Sequence, residues 1–147
     1  MMTLLLAGCS RGVKLCAVCQ RDECKAMAFR MTLEDGKTVE TCCPRCGMHY
    51  LESSKQQPRR LEATDFATGR WIEASTATFV SDSDVRGCAT METRRDAQGC
   101  CLIKGYDRCL PSLVAFADVS RAEAFRKEHG GQRVSIQEVS SGESRAH

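Results

Sequence analysis

Apolar residues occupy every second position in the first organised part of the chain. Within residues 26–33 they are Met27, Phe29, Met31 and Leu33. This period of two predicts a strand with one buried face. Asp35-Gly36 follows, and because Asp-Gly is one of the strongest hairpin signals, a second strand is predicted over residues 37–41.

A helix is predicted after this hairpin, and a second hairpin after the helix. Pro44 suits the first helical position, because the fixed φ of proline matches a helix and its missing N–H would have no partner there. After about three turns, the polar residues 53–58 end the helix. A Thr-Gly turn then joins strands at 61–66 and 70–73, and alternation places Trp71 in the core.

The C-terminal part repeats this order of elements after an insertion. Residues 81–105 lose all periodicity and predict a long loop of the kind that is usually functional. A strand at 113–116 precedes a helix that Ser120 is expected to cap, with Glu123 three residues later. After a Gly-Gly pair, residues 133–139 alternate as a closing strand. The predicted fold class is α+β, with two β-β-α units and small antiparallel sheets, joined by a long cysteine-containing loop.

Composition limits the function. At 147 residues the chain can bury a core without disulfide bonds, so stability alone does not explain its 11 cysteines. A formal charge of +2 with mixed signs forms no extended basic face, and nucleic acid is not an expected partner. No stretch reaches the ~20 apolar residues of a membrane-spanning helix. We find no Ser-His-Asp group, close carboxylate pair or phosphate loop, and predict that the protein is not an enzyme.

The N-terminal segment indicates a lipid anchor. Leu6-Ala7-Gly8-Cys9 resembles the lipobox of bacterial lipoproteins, in which the cysteine sulfur carries the lipid. The apolar leader is short and has no basic residue before it, which indicates a start codon assigned too late. Lipidation of Cys9 would hold the protein on the periplasmic side of the bacterial cell envelope, lipid-anchored to the membrane. The alternative is a chance match at a ragged N-terminus.

Two cysteine clusters bracket the first hairpin. Cys16-x2-Cys19 precedes it and Cys43-x2-Cys46 follows it, so four thiolates can converge on one ion. Copper(I) is the leading candidate and structural zinc the second, while short-loop disulfides are the alternative in an oxidising compartment. The candidate metal ligands are Cys16, Cys19, Cys24, Cys42, Cys43, Cys46, Met48, Cys88, Met91 and Cys109.

Several of these candidates lie outside the Cys-x2-Cys pairs. Met48 sits on the predicted helix, where a thioether beside a thiolate would favour copper(I), although methionine is more often core filler. The long loop carries Cys88-x2-Met91 and the adjacent pair Cys100-Cys101. Neighbouring cysteines cannot readily bond each other, so each is expected to pair elsewhere or to bind metal.

A third spacing overlaps both clusters. Cys19, Cys42 and Cys46 are separated by twenty-two and three residues, which resembles the TRASH pattern of heavy-metal sensing and trafficking modules. This pattern uses the same hairpin as the Cys-x2-Cys pairs. It implies the same class of thiophilic ion.

Short motifs are distributed along residues 16–139. They are Asp65-x2-Thr68-Gly69-x-Trp71-Ile72-x-Ala74, Ala77-x-Phe79-Val80, Ala115-Phe116, Ala122-x2-Phe125 and His129-Gly130-Gly131, with the lipobox ahead of them. Together they resemble the NosL family, lipoproteins that serve as accessory proteins to nitrous oxide reductase. The resemblance implies a NosL-like fold and copper(I) binding.

The same resemblance implies a ligand set. NosL proteins open with a Cys-x2-Cys-Gly-Met element and carry a Thr-Pro-Met-Gly element before the Ala-Phe strand. Cys16 and Cys19 match the first two cysteines, but Gln-Arg replaces the Gly-Met. Cys109 stands where the second methionine of the family falls. The alignment implies that Cys19 and Cys109 are paired ligands, with Cys16, Cys24 or Cys46 completing a trigonal thiolate set.

The sequence therefore predicts a membrane-tethered metallochaperone. It would hold copper(I) or another thiophilic ion and deliver it to an envelope metalloenzyme by ligand exchange, with that client or another metal-trafficking protein as partner. The alternatives are a thiol-disulfide redox protein with Cys43 as nucleophile, and an interaction module stabilised by zinc or disulfides. Residues 1–15 are interpreted as a truncated lipoprotein signal and linker, 16–139 as a single NosL-like metal-binding domain, and 140–147 as a disordered tail.

Overall fold

A hairpin, a helix and two further strands form the first unit of the computed structural model, which describes residues 14–22, 25–87, 94–95, 102–103 and 107–143. The elements of this unit are β1 (Phe29–Leu33), β2 (Thr38–Thr41), α1 (Pro44–Ser54), β3 (Pro58–Thr64) and β4 (Trp71–Glu73). The four strands pair antiparallel in the order β2-β1-β3-β4. Both hairpins predicted from the sequence are present.

Strand β1 has the alternating burial that its sequence pattern predicts. Phe29, Met31 and Leu33 are at most 1% exposed. Arg30, on the opposite face, is half-buried and pairs with Glu62 of β3 at 2.9 Å. The first sheet therefore has one buried and one solvated face, which is the usual arrangement of an antiparallel sheet.

Helix α1 lies unusually close to β1. Pro44 is its first residue, as predicted, and Cys43 is its N-cap. A Cβ atom at position 47 would lie 2.3 Å from a ring carbon of Phe29, so the approach of the helix to the sheet requires Gly47. This contact fixes the first turn of α1, and with it Cys43 and Cys46, over the buried face of the sheet.

The second unit contains the remaining elements. They are β5 (Thr78–Ser81), β6 (Arg94–Arg95), β7 (Leu102–Ile103), β8 (Leu113–Phe116), α2 (Val119–His129), β9 (Gln132–Val134) and α3 (Ile136–Glu143). Three strands form an antiparallel sheet in the order β8-β5-β9, and β6 pairs with β7 as a separate ribbon. Strand β5 was not predicted, because four residues are too few to show a period.

The two units share one topology. In each sheet the first strand is central, the second strand pairs on one side, and the strand after the helix pairs on the other, giving β2-β1-β3 and β8-β5-β9. A bridge between Asp65 and Ala115 joins the two sheets. Strands β6 and β7 lie in the connection between β5 and β8, where the first unit has a tight turn. The predicted α+β class with two similar units is confirmed.

Both faces of the second sheet are buried, and alternate residues of β8 face two different hydrophobic clusters. The cluster between the sheets, called here the central core, contains Phe29, Met31, Leu33, Val39, Met48, Ala63, Ala74, Ala77, Phe79, Leu113, Ala115, Ile136 and Val139. The cluster on the other face, the sulfur core, contains Cys16, Cys19, Met27, Cys42, Cys43, Cys46, Val80, Cys109, Val114, Phe116, Ala122 and Phe125. The cysteines therefore lie against a packed apolar wall.

The prediction that Ser120 caps the second helix is wrong. Helix α2 begins at Val119, and the carboxylate of Asp118 accepts hydrogen bonds from the backbone N–H of Ser120 at 2.7 Å and of Arg121 at 3.4 Å. An Asp cap satisfies the free N–H groups of the first turn at least as well as Ser. Ser120 consequently lies inside the helix.

The predicted closing strand at 133–139 is also corrected, as is the start of the predicted disordered tail, residues 140–143, whereas residues 144–147 lie outside the described residues. Strand β9 ends at Val134, and α3 runs from Ile136 to Glu143. Ser135 and Glu138 form a reciprocal capping box, with Ser135 N–H donating to the Glu138 carboxylate at 2.6 Å and Glu138 N–H donating to Ser135 Oγ at 3.3 Å. This Ser-x-x-Glu pattern was the overlooked signal. No helix in the described part of the chain is both long and apolar enough to cross a bilayer.

Trp71 lies on the solvated face of the first sheet rather than in the core. Its side chain is 37% exposed, and the guanidinium of Arg30 lies 4.3 Å from the ring centroid in a cation–π contact. Its neighbour Ile72 packs against the central core instead. The strand alternates as predicted, but Ile72 rather than Trp71 points to the core.

Candidate metal centre

Six cysteine side chains converge where the two units meet. They are Cys16, Cys19, Cys42, Cys43, Cys46 and Cys109. Five belong to the first unit and the loop before it, whereas Cys109 precedes β8 of the second unit. All six are free thiols, and none is more than 8% exposed. The cluster is therefore a buried, sulfur-only site assembled from separate parts of the chain.

The sulfur atoms are spaced as the ligands of a metal ion are. Cys42 Sγ lies 3.5 Å from Cys19 Sγ, 3.6 Å from Cys109 Sγ and 3.8 Å from Cys46 Sγ. Cys109 Sγ lies 3.7 Å from Cys46 Sγ and 3.9 Å from Cys19 Sγ. Four sulfurs at about 2.3 Å from one tetrahedral ion are about 3.8 Å apart. The cluster has the composition and geometry of a metal-binding site.

The same distances exclude disulfide bonds among these thiols. A disulfide bond is about 2.05 Å long, so even the 3.5 Å pair is not bonded, and the short-loop disulfides considered above are not formed by these six cysteines. The spacing suits single ions between sulfurs.

A tight turn holds the first cysteine pair. The N–H of Cys16 donates to the carbonyl of Arg21 at 2.8 Å, and the N–H of Gln20 donates to the carbonyl of Cys16 at 3.1 Å. Gln20 has a φ of +60°, which reverses the chain after Cys19. The N–H of Val18 donates to Cys16 Sγ at 3.4 Å. This is the knuckle geometry in which backbone amides stabilise a thiolate.

The second pair occupies the start of α1. Cys43 is the N-cap, and its sulfur accepts a hydrogen bond from the N–H of Cys46 at 3.5 Å. The unpaired N–H groups of a helix start carry partial positive charge, which stabilises thiolates nearby. Cys42, just before the cap, lies in the middle of the cluster. The hairpin and helix thus place three adjacent thiols by local geometry alone.

An ion pair positions Cys109. Both guanidinium nitrogens of Arg21 donate to the carboxylate of Asp107, at 2.6 and 2.8 Å, and the Asp107 side chain is fully buried. The carboxylate also accepts the N–H of Cys109 at 2.9 Å, and Arg21 donates to Cys109 Sγ at 3.6 Å. The hydrogen bonds to Asp107 raise the pKa of Arg21, which stays charged. Arg21 and Asp107 were not predicted as site residues, although Asp-x-Cys has the form of an Asx-turn.

Arg45 ties the helix to the second unit. Its Nε donates to the carbonyl of Pro111 at 3.1 Å and a terminal nitrogen donates to Ser81 Oγ at 3.2 Å. Arg108, beside Cys109, donates to the carbonyl of Val18 at 3.1 Å. These contacts hold the three cysteine-bearing segments together independently of any ion.

Hydrogen bonds within the cluster separate the pKa values of its thiols. Those from Cys42 and Cys46 lower the pKa of Cys16, and those from Cys109, Cys42 and Cys46 lower that of Cys43. The pKa of Cys42 and of Cys46 is raised, in both cases mainly by the hydrogen bond to Cys109. Burial raises the pKa of Cys19 to about 11. An ion that binds all these sulfurs must displace protons.

The structure does not bring every predicted ligand to this site. Met48 belongs to the central core, where Ser140 Oγ donates to its sulfur at 3.4 Å. Cys9, Cys24, Cys88 and Met91 lie outside the described residues, as do Cys100 and Cys101. The role of these residues as ligands or as a lipid anchor stays a prediction.

A surface cleft of about 490 Å³ reaches the cluster at Cys16. Its other lining residues are Lys14, Leu15, Thr38 and Glu40. Lys14 Nζ and Glu40 Oε2 form an ion pair at 2.6 Å across it, and Leu15 is 53% exposed. Cys16, which is 1% exposed, is thus the cysteine of the cluster that lines this cleft.

Comparison with known proteins defines the fold. No protein-family model matches the sequence, and no curated protein matches it. The structure is similar to the crystal structure of the copper chaperone NosL from Shewanella denitrificans, with a TM-score of 0.61 and 17% sequence identity over 85% of this chain and 88% of that chain. The chain has a NosL-like fold. The resemblance drawn from short motifs is therefore confirmed at the level of architecture.

Proposed function

We propose that this protein binds copper(I), or another thiophilic ion, in the six-sulfur cluster and delivers it by ligand exchange to an envelope metalloenzyme or another metal-trafficking protein. The observation that carries the proposal is the convergence of six buried free thiols at metal-ligand spacing. Nothing but sulfur belongs to the two groups of potential ligands. Thiolate-only sites select soft ions such as copper(I) and zinc over magnesium and calcium.

The NosL-like fold supports copper as the first ion to test. The similar solved structure is that of a copper chaperone, and both proteins have the same architecture. In addition, six thiols exceed the four that a closed structural zinc site uses. Zinc is retained as the alternative ion, since four sulfurs at these distances also suit it.

The cleft at Cys16 provides a route for transfer. An acceptor thiolate that enters the cleft meets Cys16 before the deeper sulfurs, so it can bond to the ion as the Cys16 bond breaks. Stepwise exchange needs no free ion at any stage. A lipid on Cys9 would lie within five residues of Lys14, at most about 17 Å of extended chain. The cleft would then face the region next to the membrane.

Anaerobic titration of the reduced protein with copper(I) tests the proposal. A chromophoric copper(I) chelator serves as competitor, and native mass spectrometry counts the bound ions. We expect binding that withstands the chelator and that Cys42→Ala abolishes, while the control Met31→Leu removes a sulfur from the central core without effect. Failure of the wild-type protein to bind copper(I) would refute the proposal, and Met48→Leu decides whether that thioether contributes.

Radiolabelled palmitate incorporation in the native host tests the anchor separately. Label and membrane association should both be lost in Cys9→Ala, while copper(I) binding by the purified domain should stay unchanged. Label that persists in this variant would refute lipidation at Cys9.

A redox role is the second candidate, because one observation favours it. Hydrogen bonds from neighbouring thiols lower the pKa of Cys43 at a helix start, as in thiol-disulfide enzymes. Cys43 is only 1% exposed, however, and unlike Cys16 it is not among the residues that line the cleft. Reduction of insulin by the wild-type protein that Cys43→Ser eliminates would favour this role over metal transfer.

A further inference from the structure

We propose that the cluster binds two ions at once, with Cys42 and Cys46 as bridging ligands. This inference rests on the proposed function, since it concerns the same sulfurs. It adds the number of ions and the role of each cysteine. The observation behind it is that the six sulfurs fall into two overlapping groups of four.

Each group has the dimensions of a complete tetrahedral site. One group consists of Cys16, Cys19, Cys42 and Cys46, and the other consists of Cys42, Cys43, Cys46 and Cys109. Within each group all four sulfur atoms lie within 4.8 Å of one another. The two shared sulfurs are 3.8 Å apart, which is about the edge of a tetrahedron with 2.3 Å metal–sulfur bonds. Because the groups have these two sulfurs in common, one ion in each group would give two tetrahedra that share one edge.

One ion would leave part of this cluster unused. A single tetrahedral ion takes at most four sulfurs and leaves two buried thiols beside it. Two ions, each bonded to both shared sulfurs, use all six and lie about 2.7 Å apart. The main competing arrangement is one ion among Cys19, Cys42, Cys46 and Cys109, because the Cys19 and Cys109 sulfurs are also only 3.9 Å apart.

Hydrogen bonding distinguishes the outer sulfurs from the shared ones. Three of the four outer sulfurs receive an N–H: Cys16 from Val18, Cys43 from Cys46, and Cys109 from the guanidinium of Arg21. The described contacts of the two shared sulfurs are instead with other thiols and, for Cys46, with the carbonyl of Arg108.

This division matches what the two kinds of ligand require. A terminal thiolate keeps lone pairs that can accept hydrogen bonds, and such bonds reduce its charge. A bridging thiolate gives lone pairs to two ions and has less need of a donor. The described contacts thus support terminal roles for three cysteines and bridging roles for two, and Cys19 is assigned a terminal role as the remaining member of its group.

The test is the metal content of the reduced full chain, titrated separately with zinc and with copper(I). Native mass spectrometry should show two ions per chain, and X-ray absorption should show a sulfur shell with a metal–metal distance of about 2.7 Å. One ion per chain, with no metal–metal signal, would overturn the dinuclear assignment and leave the proposed function standing. No bound ion would overturn both.

Single substitutions then locate each ion. Cys16→Ser and Cys43→Ser each remove a terminal sulfur from one group and should each lower the content from two ions to one. Retention of two ions by both variants would contradict the assignment. Met31→Leu is the control and should retain both ions. The stoichiometry and metal–metal distance of the wild-type protein decide the question even if a cysteine variant fails to fold.

Discussion

The two units have the same topology but differ in the residue that caps the helix. In each, the helix begins directly after the second strand, and the residue at its start is Cys43 in the first unit and Asp118 in the second. Asp118 accepts two backbone N–H groups at 2.7 and 3.4 Å, whereas the sulfur of Cys43 accepts one at 3.5 Å. The second unit has the conventional cap, and the first has a weaker one whose sulfur lies in the cluster.

This difference separates stability from function within one fold. A helix start concentrates N–H groups whatever residue caps it, so a thiol there gains stabilisation of its thiolate at the cost of a weaker cap. The second unit keeps that position polar and adds only Cys109 to the cluster, from the loop before β8. The candidate metal centre is thus mainly a property of the first unit, closed by one residue of the second.

The largest expected effect comes from exchanging equivalent positions three residues after each cap. Cys46→Ser should lower copper(I) affinity more than about 100-fold. Loss of a hydrogen bond to a metal ligand already costs ~10- to 100-fold in affinity, and this variant loses a ligand itself. Arg121→Ser, the matched change in α2, should leave affinity unchanged. Competition with a copper(I) chelator measures both, and equal losses would show that the two helix starts do not differ in function.

The residues four positions after each cap, Gly47 and Ala122, test how closely each helix packs on its own sheet. Gly47→Ala should destabilise the protein by about 1–3 kcal/mol, because the new Cβ would lie 2.3 Å from the ring of Phe29. The equivalent residue of α2 is already Ala122, which is 1% exposed. Urea denaturation measures the change. Destabilisation by Gly47→Ala should be partly relieved by Phe29→Leu, and additivity of the two changes would argue against the clash.

The ion pair beside Cys109 predicts a smaller effect on the site. Arg21→Gln removes an N–H donor to the Cys109 sulfur and the ion-pair partner of buried Asp107. Metal affinity should therefore fall about 10-fold, as is usual when a hydrogen bond to a metal ligand is lost. Arg30→Gln breaks a similar ion pair on the solvated face of the first sheet and serves as the control. An equal fall in the two variants would mean that the effect is not local to the cluster.

Binding of the ion should also depend on pH. The pKa of Cys19 is raised to about 11 by burial, and that of Cys42 and Cys46 is raised as well, so these thiols are protonated at neutral pH without an ion. Metal binding must release their protons, and apparent affinity should rise with pH over the range 6–9. Proton release during calorimetric titration in two buffers of different ionisation enthalpy measures this, and no release would contradict it.

The smallest expected effect concerns the caps themselves. Hydrogen bonds from Ser120 lower the pKa of Asp118, so its contribution is present above the unfolded value near 4 and is lost as pH falls through the folded value. Asp118→Asn keeps a good cap without this titration. Between pH 7 and pH 3 the Tm of the wild type should fall a few degrees more than that of the variant. If Tm fell equally with pH in both proteins, the charge of Asp118 would not contribute to stability.

The sequence by itself determined the local structure of the first unit. Alternation from Met27 to Leu33, Asp35-Gly36 and Pro44 each act within a few residues, so the hairpin and the start of α1 follow from neighbouring positions. The Cys-x2-Cys pairs likewise indicated soft-metal chemistry, because two residues of spacing suffice to aim both sulfurs at one ion. The same local rules contained the capping box of α3, which was overlooked in favour of alternation.

Only the tertiary structure decided which sulfurs meet. Cys109 lies 63 positions from Cys46 along the chain and reaches it only because the two units pack together. Met48, two positions after Cys46, is about 200° further round the helix and so falls in the other core. The pairing of Arg21 with Asp107 spans 86 positions. Local patterns define the donors of such a site, whereas long-range packing selects among them, because a sulfur's partners depend on the path of the whole chain.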